Sequence, residues 1–320
     1  MHNDWYKERI RMLDILAVGD AIVDKVIAFD ETDEVMQKIL PVKGLFFEAT
    51  PEEHAYLRTK MALADYAGGS AANTVRSMAL LGAKTGFVGM VGQDEDGVFF
   101  KRSLQDYGVV SHLYQTQQEP TGCSVVMVHA DKDRTQCARA CASLLLMPTD
   151  IQDDILQNTH AVLTEGYMLK RRADLVADVI RRAKDKGVKN YFTLSDVHCV
   201  KHSRDLILQL LPSIDIIFGN EFEFDALNIS SKDLSQTLCV KTCGEKGVEI
   251  FSTKIQVFYP LMPLDDFINT NGAGDGFAAG FLFAYHQNQP LEQCVYMGHK
   301  VACNVLKTDL SYLPKDDCHD

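Results

Sequence analysis

The segment Asn269-Thr270-Asn271-Gly272-Ala273-Gly274-Asp275-Gly276 decides how this sequence is interpreted. It predicts a tight glycine turn that opens a helix of small and apolar residues. The near absence of side chains at Gly272, Ala273 and Gly274 lets a ligand approach the backbone closely. The first N–H groups of a helix have no partner within the helix and lie at the positive end of its dipole. The segment therefore predicts an anion site suited to phosphate.

Asp275 would lie in the first turn of that helix, beside the bound anion. A carboxylate does not help to bind an anion. It can, however, take a proton from a hydroxyl group that is about to attack phosphorus. The alternative is a glycine-rich turn whose aspartate only interacts with the helix dipole. These few residues alone leave both interpretations open.

Composition limits the classes of protein to which the chain can belong. Its 320 residues suffice for one large α/β domain with a smaller one attached. A hydrophobic content of 46% and a charged content of 24% are ordinary for a soluble globular protein. The net charge of −12, without any run of Lys and Arg, argues against nucleic acid as a partner.

The cysteines indicate the compartment. All 9 are scattered, and none forms a Cys-x-x-Cys pair. The spacing of Cys137 and Cys141, and of Cys239 and Cys243, suits neighbours on a helix better than a zinc site. We therefore expect reduced thiols in a cytoplasmic protein. The charged amino terminus and the acidic residues in the apolar run after it predict neither a signal peptide nor a membrane span.

Residues 14–19 predict a buried first strand that ends at Gly19. A dinucleotide-binding fold would need G-x-G-x-x-G here, but Gly19 is the one glycine, which argues against an NAD enzyme. Asp24 follows just beyond the carboxyl end of the strand, where α/β sheets bind ligands. It could accept hydrogen bonds from two sugar hydroxyls, or it could be a solvated loop residue.

A second glycine turn, Gly68-Gly69-Ser70-Ala71-Ala72-Asn73-Thr74, leads into a predicted helix at 75–81. Its backbone is again open to a ligand. Asn73 offers a donor and an acceptor to a pair of hydroxyls, or it caps the helix.

From residue 148 onward, helices alternate with strands at 161–164, 191–194, 214–218 and 238–242. This alternation predicts a parallel sheet with helices on both faces. The strands at 111–114 and 122–129 lack helices of their own. Together with residues 25–45, they predict a small separate sheet that acts as a lid and excludes water.

Polar side chains follow the predicted strand ends, among them Glu165, Asn220, Glu221 and Glu223. Carboxylates at strand ends suit Mg²⁺, which binds few of them and keeps its waters. The alternative for Glu221 and Glu223 is a solvated first helical turn.

Three blocks in this order resemble the PfkB, or ribokinase-like, family of carbohydrate and nucleoside kinases. They are Gly68-Gly69-Ser70-Ala71-Ala72-Asn73, Gly219-Asn220-Glu221-Phe222-Glu223 and Thr270-Asn271-Gly272-Ala273-Gly274-Asp275. The resemblance covers almost the whole chain. It implies a ribokinase-like α/β fold, with a doubly wound, mostly parallel sheet, helices on both faces and a small β lid. We place the core at residues 1–24, 46–109 and 138–320, and the lid at 25–45 and 110–137.

The resemblance also implies residue roles. Asp275 would be the catalytic base, and Gly272, Ala273 and Gly274 would form the anion hole for the transferred phosphate. The residues implied at the substrate are Asp24, Gly68, Gly69, Asn73 and Glu165. Those implied at the nucleotide are Asn220, Thr242, Gly244, Gly247 and Asn271. Glu223 would act on Mg²⁺ through water.

The implied reaction transfers phosphate from ATP, with Mg²⁺, to the hydroxymethyl group of a ribose-containing substrate. Thr164-Glu165-Gly166-Tyr167, Thr193-Leu194-Ser195-Asp196 and Lys43-Gly44 resemble a bacterial adenosine kinase-like group, so adenosine is the first candidate. A free-sugar kinase of the ribose or fructose type and a ligand-binding regulator with weak catalysis are the alternatives. Because many members of the family dimerise through the lid, a homodimer is also implied.

The sequence departs from the family pattern at three places. Asn269 stands where the family usually has an Asp that helps to bind a monovalent cation. Lys307-Thr308-Asp309-Leu310 replaces a glycine-alanine turn, so K⁺ activation is left open. Residues 140–146 lack a usual glycine, and we expect a different junction between lid and core.

Overall fold

The computed structural model describes residues 12–38, 49–131, 134–261, 268 and 271–315. The strands of its main sheet are β1 (Leu13–Val18), β4 (Thr85–Gly92), β5 (Val110–Thr116), β8 (Thr159–Glu165), β9 (Lys189–Thr193), β10 (Ile216–Asn220), β11 (Leu238–Thr242), β12 (Gly247–Phe251) and β13 (Gln256–Pro260). Their order is β13-β12-β11-β10-β9-β8-β1-β4-β5. From β11 to β5 all neighbours are parallel, and β12 and β13 form antiparallel pairs at the other edge.

The helices are α1 (Glu34–Gln37), α2 (Pro51–Arg58), α3 (Ser70–Leu80), α4 (Glu95–Asp106), α5 (Asp153–Gln157), α6 (Leu169–Asp185), α7 (Val197–Leu210), α8 (Glu221–Leu227), α9 (Ala273–His286) and α10 (Leu291–Leu306). Helices α3 to α10 cover both faces of the main sheet, whereas α1 and α2 belong to the lid described below. Side chains of β1 alternate between the two faces because a strand has a period of two. Ile15 and Ala17 pack in a core with α3, α4, α9 and α10, whereas Leu16 and Val18 pack in a second core with α5 to α8. The expected α/β architecture is therefore confirmed.

A second, four-stranded sheet has the order β3-β2-β6-β7. Its strands are β2 (Ile22–Ala28), β3 (Ala64–Ala67), β6 (Gly122–Val128) and β7 (Arg134–Arg139). One face packs against α1 and α2 through Ile27, Met36, Leu57 and Val125. We call this sheet with its two helices the lid.

The prediction for residues 111–114 is wrong. They lie in β5, which pairs in parallel with β4 at the edge of the main sheet, with Phe87 opposite Ser111. The reason is α4, which provides the crossover that two parallel neighbours need. The lid sheet instead gains β3, which lies outside the range we gave to the lid.

No helix within the described ranges is long and apolar enough to cross a membrane.

An ion-pair cluster joins the lid to the core. Asp96 in the first turn of α4 contacts Lys25 Nζ at 2.9 Å and Arg58 Nη2 at 2.6 Å, and all three side chains are about 15% exposed. Removing Asp96 would leave Lys25 and Arg58 only their longer contacts, to Asp65 at 3.5 Å and to Asp94 at 3.9 Å, so two largely buried charges would be poorly compensated. We expect Asp96→Ala to lower the free energy of unfolding by about 2–4 kcal/mol, measured by urea denaturation.

The matched control for this prediction lies on the same helix. Asp106 contacts Arg102 at 3.9 Å, and both side chains are more than half exposed. Asp106→Ala should change the free energy of unfolding by less than about 0.5 kcal/mol. Equal effects of the two substitutions would show that the cluster does not hold the lid.

Candidate active site

The polar strand ends meet at one edge of the main sheet. Because β1, β8, β9, β10 and β11 are parallel, Gly19, Glu165, Thr193, Asn220 and Thr242 all follow or end strands on the same side. This is the edge where open α/β sheets bind ligands. The amino termini of α3 and α9 also meet here, since Ser70 contacts Asp275 across more than 200 residues of sequence.

Asp275 is held by the first turn of α3. Ser70 Oγ donates to Asp275 Oδ1 at 2.6 Å, and Asn73 Nδ2 donates to Oδ2 at 3.0 Å. Burial raises the pKa of Asp275 to about 6, against these two hydrogen bonds, which lower it. A carboxylate with a pKa close to the working pH binds a proton more readily than an ordinary aspartate, as a general base requires.

The turn before Asp275 has the backbone that the sequence predicts. Gly272 has a φ of +76°, and a Cβ there would overlap the carbonyl of Ser311. No side chain in the described chain caps the start of α9, and Gly276 N makes the first helical bond to Gly272 O at 2.8 Å. A Cβ at Gly274 would meet no atom within 4 Å. The turn is therefore rigid on its inner side and open on the side where an anion would bind.

The structure brings four of the predicted substrate residues together. Asp24 lies on lid strand β2, and Gly68 packs so tightly against its carboxylate that a Cβ could not fit between them. Gly69 has a φ of +89° and lies against the carbonyl of Asp20. Asn73 follows one helical turn later and reaches Asp275. Asp24, Gly68, Gly69 and Asn73 thus lie around the Asp275 carboxylate, between lid and core.

Burial also raises the pKa of Asp24, to about 7, although Arg76 and Ser124 lower it. The ordinary value is 3.8, so the folded chain binds more protons than the unfolded chain at intermediate pH. The stability from this protonation is fully present below pH 3.8 and is lost as the pH rises through 7.

Asp24→Asn should remove this pH dependence. Because the variant avoids a buried negative charge, its gain in free energy of unfolding over the unaltered protein should be about 2–3 kcal/mol larger at pH 8 than at pH 5. Urea denaturation at both pH values measures the difference. Asp205→Asn is the control, since that side chain is 92% exposed. A gain independent of pH would contradict the raised pKa.

Glu165 does not lie where a substrate contact was predicted. It is fully buried, and its two oxygens accept hydrogen bonds from Asp20 N at 2.8 Å and Ala71 N at 2.7 Å. Its carboxylate therefore connects the loop after β1 to the start of α3. The prediction of a direct contact is corrected: a strand-end carboxylate here supports the backbone around the site.

Asn220 and Glu223 form a capping box at the start of α8. Asn220 N donates to Glu223 Oε2 at 2.9 Å, Asn220 Nδ2 donates to Oε1 at 2.8 Å, and Glu223 N donates to Asn220 Oδ1 at 2.9 Å. Glu223 is buried, which raises its pKa. Glu221 instead contacts Lys246 Nζ at 3.3 Å near the surface. The solvated-turn alternative thus describes Glu221 and not Glu223.

The residues predicted to bind the nucleotide lie at the same edge of the main sheet, but within the described ranges fewer side-chain hydrogen bonds connect them than connect the residues around Asp275. Thr242 Oγ1 donates to Gly219 O at 3.4 Å. Gly244 and Gly247 have φ values of +57° and +137° in the turn between β11 and β12. Asn271 is exposed before α9. The predictions for Asn269 and for Lys43-Gly44 lie outside the described residues.

Sequence reasoning missed Ser70 and Arg76 as parts of the site. Ser70 and Asn73 are three residues apart, as are Asn73 and Arg76, so all three lie along one side of α3. A polar stripe within a helix that is otherwise buried was the available signal.

A family model for pfkB family carbohydrate kinases matches residues 33–317. The chain belongs to the pfkB family. The ribokinase-like fold is confirmed by solved structures with the same architecture. This pfkB kinase is 29% identical to adenosine kinase from Sinorhizobium meliloti, with a TM-score of 0.83, covering 94% of this chain and 96% of that one.

Two further relatives are kinases with other names. A probable sugar kinase from Rhizobium etli is 29% identical, with a TM-score of 0.82, covering 95% of this chain and 96% of that one. A 5-dehydro-2-deoxygluconokinase from Geobacillus kaustophilus is 26% identical over 80% of this chain and 84% of its own length. The protein is therefore a sugar or nucleoside kinase of the pfkB family.

Proposed function

We propose that this kinase phosphorylates the hydroxymethyl group of a ribose-containing substrate, adenosine or a related nucleoside, with ATP and Mg²⁺. The observation that carries the proposal is the placement of Asp275. Its carboxylate is oriented by Ser70 and Asn73 beside the amino terminus of α9, which no side chain within the described ranges caps. A base and an anion site thus adjoin each other, as phosphoryl transfer to a hydroxyl group requires.

In the proposed mechanism, Asp275 accepts the proton of the attacking hydroxyl group. The backbone N–H groups of the Gly272-Ala273-Gly274 turn stabilise negative charge on the transferred phosphoryl group. Asp24 and Asn73 would hold neighbouring sugar hydroxyls, which positions the hydroxymethyl group for in-line attack.

The nucleotide and metal assignments rest on the fit of the residues. No cluster of three metal-ligating side chains exists in the described ranges. Both oxygens of Glu223 are engaged by Asn220, so Glu223 fits an Mg²⁺ ion reached through water and held mainly by phosphate oxygens. Bound there, Mg²⁺ would neutralise charge on the phosphates. ATP would lie along Asn220, Thr242, Gly244, Gly247 and Asn271.

A nucleoside acceptor requires an apolar face on which its nucleobase can stack. We prefer a nucleoside because Tyr167 can provide this face. Tyr167 follows Glu165 and Gly166 directly at the carboxyl end of β8, and it is 48% exposed. Its ring is available at the same edge as Asp275. Phe46 and Phe47, two further aromatic residues of the sequence, lie outside the described residues.

A free-sugar kinase is the second candidate, because one relative of comparable similarity is a probable sugar kinase and another is a 5-dehydro-2-deoxygluconokinase. A free-sugar kinase would use the same catalytic base, Asp275, and the same anion site. Only the stacking of a nucleobase would be absent. A ligand-binding regulator with weak catalysis is the third alternative. Dimerisation through the lid, K⁺ activation and cytoplasmic location stay predictions.

The test is ADP release from MgATP with adenosine, other nucleosides, ribose and fructose offered separately, each with Na⁺ or K⁺. Turnover with nucleosides alone would support the proposal. Turnover with a free sugar alone would replace the acceptor and keep the mechanism. No turnover with any acceptor, combined with thermal stabilisation by one of them, would favour the regulator.

A further inference from the structure

Arg76 is a fully buried arginine in the middle of α3. Its Nη1 atom donates to Gly68 O and to Asn73 Oδ1, each at 3.3 Å. Its Nε and Nη2 atoms have no hydrogen-bond partner among the described residues. The rings of Phe100 and Tyr312 lie 4.9 Å and 5.0 Å from the guanidinium carbon.

This arrangement costs stability. Burying a charged group is unfavourable unless it is paired, and each unpaired N–H group adds to the cost. Burial lowers the pKa of Arg76 to about 10, while Tyr312, Tyr107 and Asp24 raise it. The guanidinium thus stays charged at neutral pH. The two aromatic rings offset only part of the cost, so a purely structural role explains this residue poorly.

The contacts of Arg76 reach both sides of the predicted acceptor site. A guanidinium can only donate hydrogen bonds, so the oxygen of the Asn73 amide must face Arg76. The NH₂ group of Asn73 is then turned toward Asp275, to which it donates at 3.0 Å. The same Nη1 atom holds the carbonyl of Gly68, which packs against the carboxylate of Asp24.

We propose that Arg76 is a positioning residue of the phosphoryl-acceptor site, which orients Asn73 toward Asp275 and fixes the Gly68 turn against Asp24. This inference rests on the proposed function and names a residue through which that function is tuned. Arg76 is fully buried, so we infer that it acts through Asn73 and Gly68 and by placing a positive charge near the buried carboxylate of Asp24.

The charge of Arg76 should also appear in the pH profile. Asp24 is faced by Arg76 from α3, by Ser124 from β6 and by Asp275 from α9. Tyr107 and Tyr312 face Arg76 from the opposite side, and Lys315 lies over the Tyr107 ring. Because Asp24 must be ionised to accept hydrogen bonds from both sugar hydroxyls, and Arg76 lowers its pKa, removing the positive charge should move the acidic limb of kcat/KM to higher pH.

The experiment compares Arg76→Met with Arg76→Lys in the full chain. Arg76→Met keeps an unbranched stem and loses the charge and both hydrogen bonds. We expect kcat/KM for adenosine to fall about 10- to 100-fold, with the acidic limb shifted up by at least about 0.5 pH units. Arg76→Lys keeps the charge, so it should lose less activity and retain the original limb. Arg102→Met, at a side chain that is 79% exposed, is the matched control and should leave both quantities unchanged.

A crystal structure of ligand-free Arg76→Met provides a readout that does not need activity. We expect Asn73 Nδ2 to move out of hydrogen-bond distance of Asp275. An Asn73 amide that stays in place, or an unchanged kinetic profile, would overturn the inference and leave the proposed function standing. If the unaltered protein turns over no acceptor, the proposed function fails, and the Asn73 geometry still decides the positioning role. If Arg76→Met does not fold, an Arg76→Lys variant with unaltered kcat/KM would overturn the inference.

Discussion

Asp275→Asn is expected to lower kcat by about 10²- to 10⁴-fold while the KM for the acceptor changes by less than about threefold. The amide has nearly the same shape as the carboxylate, and its oxygen can still accept from Asn73 Nδ2 while its NH₂ group donates to Ser70 Oγ, so the acceptor should still bind. It cannot take the proton of the attacking hydroxyl group. Initial rates of ADP release over a range of acceptor concentrations separate the two constants.

Asp205→Asn on α7 makes the same chemical change at a highly exposed side chain and should leave both constants unaltered. If Asp275→Asn stays within about tenfold of the unaltered rate, Asp275 is not the base. A raised KM with an unchanged kcat would instead assign Asp275 to substrate binding.

Gly272→Ala is expected to damage both stability and catalysis. The residue has a φ of +76°, which costs an L-residue roughly 1–2 kcal/mol. The added Cβ would also overlap the carbonyl of Ser311, so the backbone must shift at roughly 1–3 kcal/mol more. This shift moves the N–H groups of the predicted anion hole, and a displacement of about 1 Å can cost about 10²-fold in rate. Urea denaturation and kcat measure the two effects.

Gly108→Ala separates the two causes. Gly108 also has a φ of +76°, but a Cβ there would meet no atom within 4 Å. It should show the cost of the backbone conformation alone and keep full activity. If the two variants lose equal stability, the packing of Ser311 against Gly272 does not constrain the turn. If Gly272→Ala keeps full kcat, the turn is not the anion hole.

The sequence by itself determined the local features of this protein. The Gly-Ala-Gly-Asp segment predicted a tight glycine turn and a helix start, because these depend on backbone conformation and on hydrogen bonds within a few residues. The alternation after residue 148 predicted the parallel sheet, because hydrophobic periodicity is also local. The order of three motifs was enough to indicate the pfkB family, which the family match then showed.

The tertiary structure decided which side chains meet. The sequence placed 111–114 in the lid, but pairing with β4 depends on the crossover through α4, which no short segment encodes. Glu165 was expected to contact the substrate, yet it is fully buried and each of its oxygens accepts a hydrogen bond from a backbone N–H group of a distant segment. Arg76 looked like an ordinary helix residue, and only the packing of α3 between Phe100 and Tyr312 buries its charge beside Asn73. Contacts between residues far apart in the sequence depend on the packing of whole elements, so the local pattern predicted the chemistry of the groups and the fold decided their partners.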